Sequence, residues 1–600
     1  MPLKSLSRSH GLRRAVVRLA WSALLILPAS VAAVTIRVGA IGDPACTAFS
    51  IQGAIAQLPP GLTEHRLLLS SNQTYTTAGV ITDRDLRIEG GYANCSAAEP
   101  TPGARTQIGP DATATAPLLT LLGTTPIQLP VTLRALSFIG PAPQGAIRAS
   151  GTMRVYVEDT WVMNAGDLFL DNAGGIAIED QAILHLRGNS QIVGNTGGEG
   201  GGVSCVNGEI QWEGGDVLIG SNRARLFGGG IALVDCEMDW LGGDEASTGG
   251  VTFNIATGGG GISMRDNSIL SGFAFERTQR RVVSNSAEYF AGGILAENSG
   301  ISASSLDLRN NIAGLRSMPA PAGMGYGGGL AAYTSTISVS QLRVEGNRAE
   351  RNGGGIWLQS ASSLQADLPL VCPVGEPCHT MSQNVAGEAG GLVWLGEGAS
   401  FSAARAWIEA NVADTGAVAF AEGGSAAPAQ ISLSNSLLYD NTATSALIAL
   451  GNSQMTLALS TLVDNNTGTS MVLDFGGNTH DWRASLLYGA PGSVLLSAPF
   501  GTTLATDCLI GHENASVLGN GGDVFVDDDP GFENRGSANF RLRADSGAVD
   551  VCSYNEPSGI VLDLEGNLRP VDLPNPNVAG AFDIGAFERR PSAMFANGFE

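Results

Sequence analysis

Between Gln191 and Asn466 the sequence repeats one short pattern: an aliphatic residue, two residues, an asparagine, then a glycine run closed by another aliphatic residue. The asparagines are Asn195, Asn222, Asn254, Asn285, Asn311, Asn347, Asn384, Asn411, Asn441 and Asn465, at steps of 27, 32, 31, 26, 36, 37, 27, 30 and 24 residues. Three positions before them stand Ile192, Ile219, Val251, Val282, Leu308, Val344, Met381, Ile408, Leu438 and Leu462. Glycine runs end at Gly202, Gly230, Gly261, Gly293, Gly329, Gly355 and Gly391, each followed by Val, Ile or Leu. Short apolar segments at this uneven spacing do not suit helical repeats. They fit a coiled β-solenoid, an all-β fold in which each unit is one turn.

Stacked turns bring each residue over its equivalent about 4.8 Å away, so the aliphatic positions should form inward columns. Asparagine tolerates left-handed backbone and its amides can bond along the axis, while glycine allows a tight corner. These residues are therefore read as architecture. Eight residues beyond the closing glycines come Ile210, Met238, Ile269, Ile301 and Ile337, which predicts another inward column. Ten beyond the first two come Trp212 and Trp240.

The aliphatic-x-x-Asn and Gly-Gly-aliphatic repeats resemble those of bacterial right-handed parallel β-helix proteins of the pectin-lyase-like superfamily, especially polymorphic outer-membrane protein repeats. Thr35-Ile36-Arg37-Val38, followed by the helical stretch Ser50 to Leu58, is similar to the opening of such chains, where a helix covers the first turn. Near the other end, Asp529-Pro530-Gly531-Phe532, Phe540-Arg541-Leu542, Ser546 to Asp550, Asp563 to Pro570 and Asp583 to Glu588 succeed one another as in the C-terminal region of secreted β-helix proteins named for a choice-of-anchor domain. The closing Phe595-Ala596-Asn597-Gly598-Phe599-Glu600 is similar to short tails of exported bacterial proteins. Autotransporters that share these repeats end in a membrane β-barrel, for which the sequence after the repeats has no room.

Division of the chain follows: 1–33 a signal peptide, 34–115 an N-terminal cap and first turns, 116–505 β-helix repeats, 506–590 the choice-of-anchor-like region and 591–600 the tail. The basic residues Lys4, Arg8, Arg13, Arg14 and Arg18 ahead of the apolar run Ala20 to Leu27 carry the signal reading. Residues 97–130, rich in Pro, Thr and Ala, read as an excursion between early turns, and about Leu315 to Met324 as an inserted loop. A net charge of −23 and the lack of a basic stripe exclude nucleic acid as a partner. No later segment is long and apolar enough for a spanning helix. The expectation is an exported monomer, extracellular or at the cell surface or outer membrane, meeting polysaccharide or another surface component.

Eight cysteines in an exported chain are expected to pair, in chain order, as Cys46–Cys95, Cys205–Cys236, Cys372–Cys378 and Cys508–Cys552. Cys205 and Cys236 lie three and six residues after their glycines, so strict stacking would keep that pair apart.

Pectate lyases and polygalacturonases share the fold the resemblance implies, but the chain contains no Gly-His-Gly and no Arg-Ile-Lys. No catalytic residue is assigned and no cofactor is expected. The one candidate cation site comes from register: Glu209 and Glu237 both lie seven residues after their glycines and would face one another, with Asp235 and Asp239 on the same side. Stacked carboxylates repel unless water or a cation such as calcium lies between them. Asp527, Asp528 and Asp529 read as a solvated turn, and the scattered His65, His185, His379, His480 and His512 as surface or turn residues. Two functions fit: a scaffold or adhesin-like protein without catalysis, and a lyase or glycosidase acting on acidic polysaccharide.

Overall fold

A computed structural model describes residues 32–590 except 60–62, 77–78, 111–114, 171–173, 215, 242–248, 273–279, 315–323, 367–371, 373–376, 490–492, 513–517, 519–523, 528, 554–561 and 574–579. The signal peptide (but for its last two residues), the inserted loop at 315–323, Asp528 and the C-terminal tail lie outside the described residues.

The chain is a parallel β-solenoid. One face is a sheet of 15 parallel strands stacked in chain order, one from each turn. A longer sheet of 32 strands receives two segments from most turns, and ten turns add a short strand to a third sheet. Coiling starts at Thr35–Val38, which pairs with His65–Ser70, and the last strand of the long sheet is Val524–Val526. Residues 97–130 are not simply an excursion: Thr106–Gly109 and Leu119–Gly123 are regular strands of the stack, with Ile108, Leu119 and Leu121 buried. A five-residue helix, α1 (Ile51–Ile55), is capped by the Ser50 hydroxyl, which accepts from the Gly53 N–H at 3.1 Å. It buries Ile51, Ala54 and Ile55 against the first turns.

The asparagine column is continuous. From Asn195 to Asn465 each side-chain amide donates to the carbonyl oxygen of the next asparagine's side chain at 2.9–3.1 Å. Its second N–H goes to the backbone carbonyl of the aliphatic residue of the preceding turn, as Asn222 to Ile192 and Asn254 to Ile219. The same side-chain oxygen also accepts the backbone N–H of the preceding asparagine. Every polar atom of a fully buried amide thus finds a partner, as burial requires. One expectation is corrected: the asparagines are not the left-handed residues. That conformation falls one place earlier, at residues such as Ser221, Phe253, Ser284 and Ala410 with φ of 52–58°. The bend precedes the amide, which leaves the amide free to face inward.

Within the glycine runs the last residue has a different reason. A Cβ on Gly230 would lie 2.7 Å from the Gly261 carbonyl oxygen and 2.9 Å from the Asn254 amide, so the turns could not close onto the ladder.

The count of eight residues fails in one turn. Ile269 is 46% exposed, and Leu270 takes the inward place between Met238 and Ile301. The cause is the corner before it, where Asp266 and Asn267 both adopt positive φ, whereas Asp235 alone does so in the preceding turn. The extra residue is absorbed by the corner and the strand register shifts by one.

All four disulfides form, including Cys205–Cys236. The expected separation of that pair is overcome at a corner. Gly208 stacks under Cys236 and has no side chain, and its N–H donates to the Cys236 sulfur at 3.2 Å. In the space left there the two sulfurs meet, with Cα atoms 6.2 Å apart.

The C-terminal region lies along the outside of the last turns. Phe532, Phe540, Leu542, Leu564 and Ile584 pack on Leu437, Leu459, Val463 and Leu486. Arg569, fully buried, donates to Asn435 and Glu588 side chains and to the carbonyls of Asp583 and Gly585. Residues of the stretches Asp529 to Phe532, Phe540 to Leu542, Asp563 to Pro570 and Asp583 to Glu588 are therefore among the groups that hold this segment in place.

Two stability outcomes follow. Ile262→Ala should cost about 2–5 kcal/mol, measured by denaturant unfolding. A lone stacked amide would cost about 1 kcal/mol, but Asn285→Ala removes the partner of the Asn254 backbone N–H, of one Asn254 amide N–H and of the Val251 carbonyl, and should cost about 3 kcal/mol or more. Peptide mapping without reductant should recover Cys205 joined to Cys236, and free thiols at both would contradict the corner geometry.

Candidate functional site on the outer face of the long sheet

The outward face of the long sheet over its first turns carries the densest set of ionisable groups. Register stacks Glu89, Arg134, Glu158 and Arg187 over one another, and Arg187 in turn pairs with Glu213 of the next turn. The signs alternate along the axis. Arg134 reaches Glu89 at 3.2 Å and Glu158 at 3.6 Å, and Arg187 donates two N–H groups to Glu213. Arg66 also reaches Glu89, at 2.7 Å.

Beside this column lie Tyr156 and His185, stacked at 4.1 Å between ring centroids, with the Arg187 guanidinium 4.3 Å over the tyrosine ring. His185 Nδ1 hydrogen-bonds Glu213. Burial alone would raise the Glu213 carboxyl, but the bonds from Arg187 and His185 outweigh it and hold it below the ordinary range. A histidine oriented by a carboxylate is the geometry of a general base. Here His185 is 5% exposed and its Nε2 is buried with no partner among the described residues, so no substrate atom reaches it.

The other histidines also depart from the expectation of surface positions. His65, His379, His480 and His512 are all at most 5% exposed. A strand side chain in this fold is roofed by the turns on either side, which covers even rings that the sequence pattern does not mark as core. His65 and His379 accept backbone N–H groups of the preceding turn. His480 sits inside the solenoid against Asp474, at 3.2 Å, with neither side chain exposed. Asp474 further accepts from the Gly476 and Asn478 N–H groups. Nothing in residue spacing signalled this pair, because its members meet across a corner.

The four carboxylates of the predicted cation site do not converge. Glu209 and Glu237 do stack in register. Glu209 bonds to Gln211 and Asp239 accepts from Ser271 at 3.3 Å, while Asp235 is held at the exposed corner, off the strand. Among the described residues the one group of three potential ligands within reach of an ion is Asp43, Cys46 and Cys95, and both of its sulfurs are in a disulfide. Asp529 belongs to a turn, as expected: the Gly531 N–H and Arg543 hold its carboxyl below the usual range.

An aromatic cluster that sequence reading missed lies on the outer face of the 15-stranded sheet: Phe227, Phe290, Tyr326, Tyr333, Trp357 and Trp394. Sugar platforms need an open ring face. Here Phe290 stacks on Tyr326 and Trp357 on Trp394, while Arg265 and Arg351 cover Phe227 and Tyr326. The rings stabilise one another along the axis.

No protein-family model matches the sequence, and neither does any curated protein. Among the described residues no helix is long and apolar enough to cross a membrane.

Burial pushes His185 and His480 below the ordinary imidazole range. The unfolded chain thus takes up protons near pH 6.5 that the folded chain refuses, so the stability involved is intact above about pH 6.5 and is lost as pH falls. Thermal melts from pH 7.5 down to 5 should show this loss, with a shallower slope in His480→Leu.

Proposed function

We propose that the protein is an exported, non-catalytic β-helix scaffold, adhesin-like in use, of the pectin-lyase-like superfamily with a choice-of-anchor-type C-terminal region. It would act outside the cell or at its surface, on a polysaccharide or another surface component. The observation that carries this reading is where the long connections of successive turns begin and end. Connections longer than those of the turns immediately preceding run from Trp212 to Leu218, Trp240 to Gly250, Gly272 to Arg281 and Ala366 to His379. All four connections begin and end at the same corner, between the two long-sheet segments of a turn, whereas the stretch from Ala313 to Leu330 spans another corner.

Excursions collected on one face of a repeat protein commonly form its binding face. The ladders supply a stiff rod to hold them, and four disulfides suit an oxidising compartment. The ionisable groups best placed for chemistry are engaged with each other, as Arg187 and His185 are with Glu213.

Replacing residues 242–248 and 273–279 by short Gly-Ser links should leave the melting temperature within a few degrees and remove retention on the cell-surface or polysaccharide fraction that retains the intact protein. The intact mature chain should release no unsaturated or reducing ends from pectin or alginate, with or without calcium. Calcium-dependent depolymerisation that Glu237→Gln abolishes would overturn the scaffold reading.

A further inference from the structure

The corner that carries the excursions is open near the N-terminal end of the solenoid. Between the stretch Pro100 to Arg105 and the corner residues Ala135 and Asp159 lies a cavity of about 270 Å³, lined also by Glu89, Arg134 and Asn189. It has room for one small molecule, slightly below the range of about 300–1,000 Å³ usual for ligand pockets.

The charges facing it are unequally engaged. The Glu89 carboxylate, 5% exposed, is met by Arg66, Arg87 and Arg134. Asp159 accepts the backbone N–H of Asn189 at 3.0 Å. Arg105 differs: it makes no ion pair with any described residue. Its guanidinium lies 4.1 Å over the Trp161 ring and its Nε donates to the Asp159 carbonyl at 2.9 Å, so the group is fixed in place. Nη1 makes only a long contact of 3.5 Å to the Gly103 carbonyl. Partial burial lowers its pKa, and the nearby Asp159 carboxylate works against that without closing an ion pair.

A fixed guanidinium that presents its outer N–H groups to a cavity, and is ion-paired with neither carboxylate lining it, offers its planar fork to an anion. With Glu89 and Asp159 also lining the cavity, an anion of single charge is favoured over one of higher charge. We propose that this cavity binds a small molecule through a carboxylate, which Arg105 grips, with the side-chain amide of Asn189 and the Arg134 guanidinium as further donors to its polar groups. The proposal goes beyond the scaffold reading and stands or falls separately from it.

The test is calorimetric titration of the intact mature protein with D-glucuronate, D-glucose and inorganic phosphate. Glucuronate should bind, more weakly as salt is raised, while glucose should give no heat and phosphate should bind less well than glucuronate. Arg105→Gln should lower glucuronate affinity about tenfold or more, and Arg105→Lys by less. Asn189→Ala, whose side chain makes no hydrogen bond to the described residues, should weaken binding a few-fold with no change in melting temperature. Glucuronate binding that Arg105→Gln and Asn189→Ala both leave intact would overturn the site, as would no binding at all. Equal binding of glucose would overturn the carboxylate, and tighter binding of phosphate would replace it with an oxyanion of higher charge.

Discussion

In-register parallel stacking makes each side chain the neighbour of its own counterparts above and below. A column in such a fold must be compatible with itself. Aliphatic groups meet this condition through packing. Asparagine meets it because the amide is both donor and acceptor, so a copy placed about 4.8 Å away completes it. Serine and threonine do the same at two other corners, where Thr160 accepts the Leu136 N–H, Ser190 accepts the Thr160 N–H and Ser335 accepts the Ser299 N–H. Stacked like charges repel: Arg66 over Arg87 is bridged by Glu89, and the column from Glu89 to Arg187 alternates in sign. Glu209 over Glu237 breaks the rule at a place where solvent screens the repulsion, since Glu237 is exposed.

The two ends of the rod are treated differently. At the N-terminal end α1 covers apolar residues of the first turns. The C-terminal region instead runs back along the flank, from Cys552 bridged to Cys508 to Leu564, whose carbonyl accepts from Arg405. Its contacts follow one column of left-handed corner residues, Arg405, Asn435, Leu459, Ala484 and Cys508. The same corner continues toward the N-terminal end through Asp159 and Ala135, where it borders the cavity beside Arg105.

Much of the fold was legible because its determinants are periodic. Asn285 and Ile262 announce themselves by position, and both lie where the repeat puts them. What depended on corners was not legible. The number of left-handed residues in a corner varies between one and two, which displaced Ile269, and the bare backbone of Gly208 at another corner let Cys205 meet Cys236. The site was less legible still. Arg105 and Asp159 are separated by 54 residues and meet only because two corners are adjacent in space. The burial of His185 and His480 was equally hidden, since neighbouring turns supply the roof.

The two-residue corner at Asp266 and Asn267 also bears on how such a chain can change length. A residue inserted into an ordinary strand would turn every later side chain to the wrong face. Here the surplus is confined to a bend, and the strands after it resume their places, with Leu270 over Met238 and Ile301 over Leu270. Corners therefore act as buffers that decouple the length of a turn from its phase. A lineage of such proteins can lengthen, shorten and diversify its loops while the ladder of amides inside keeps count.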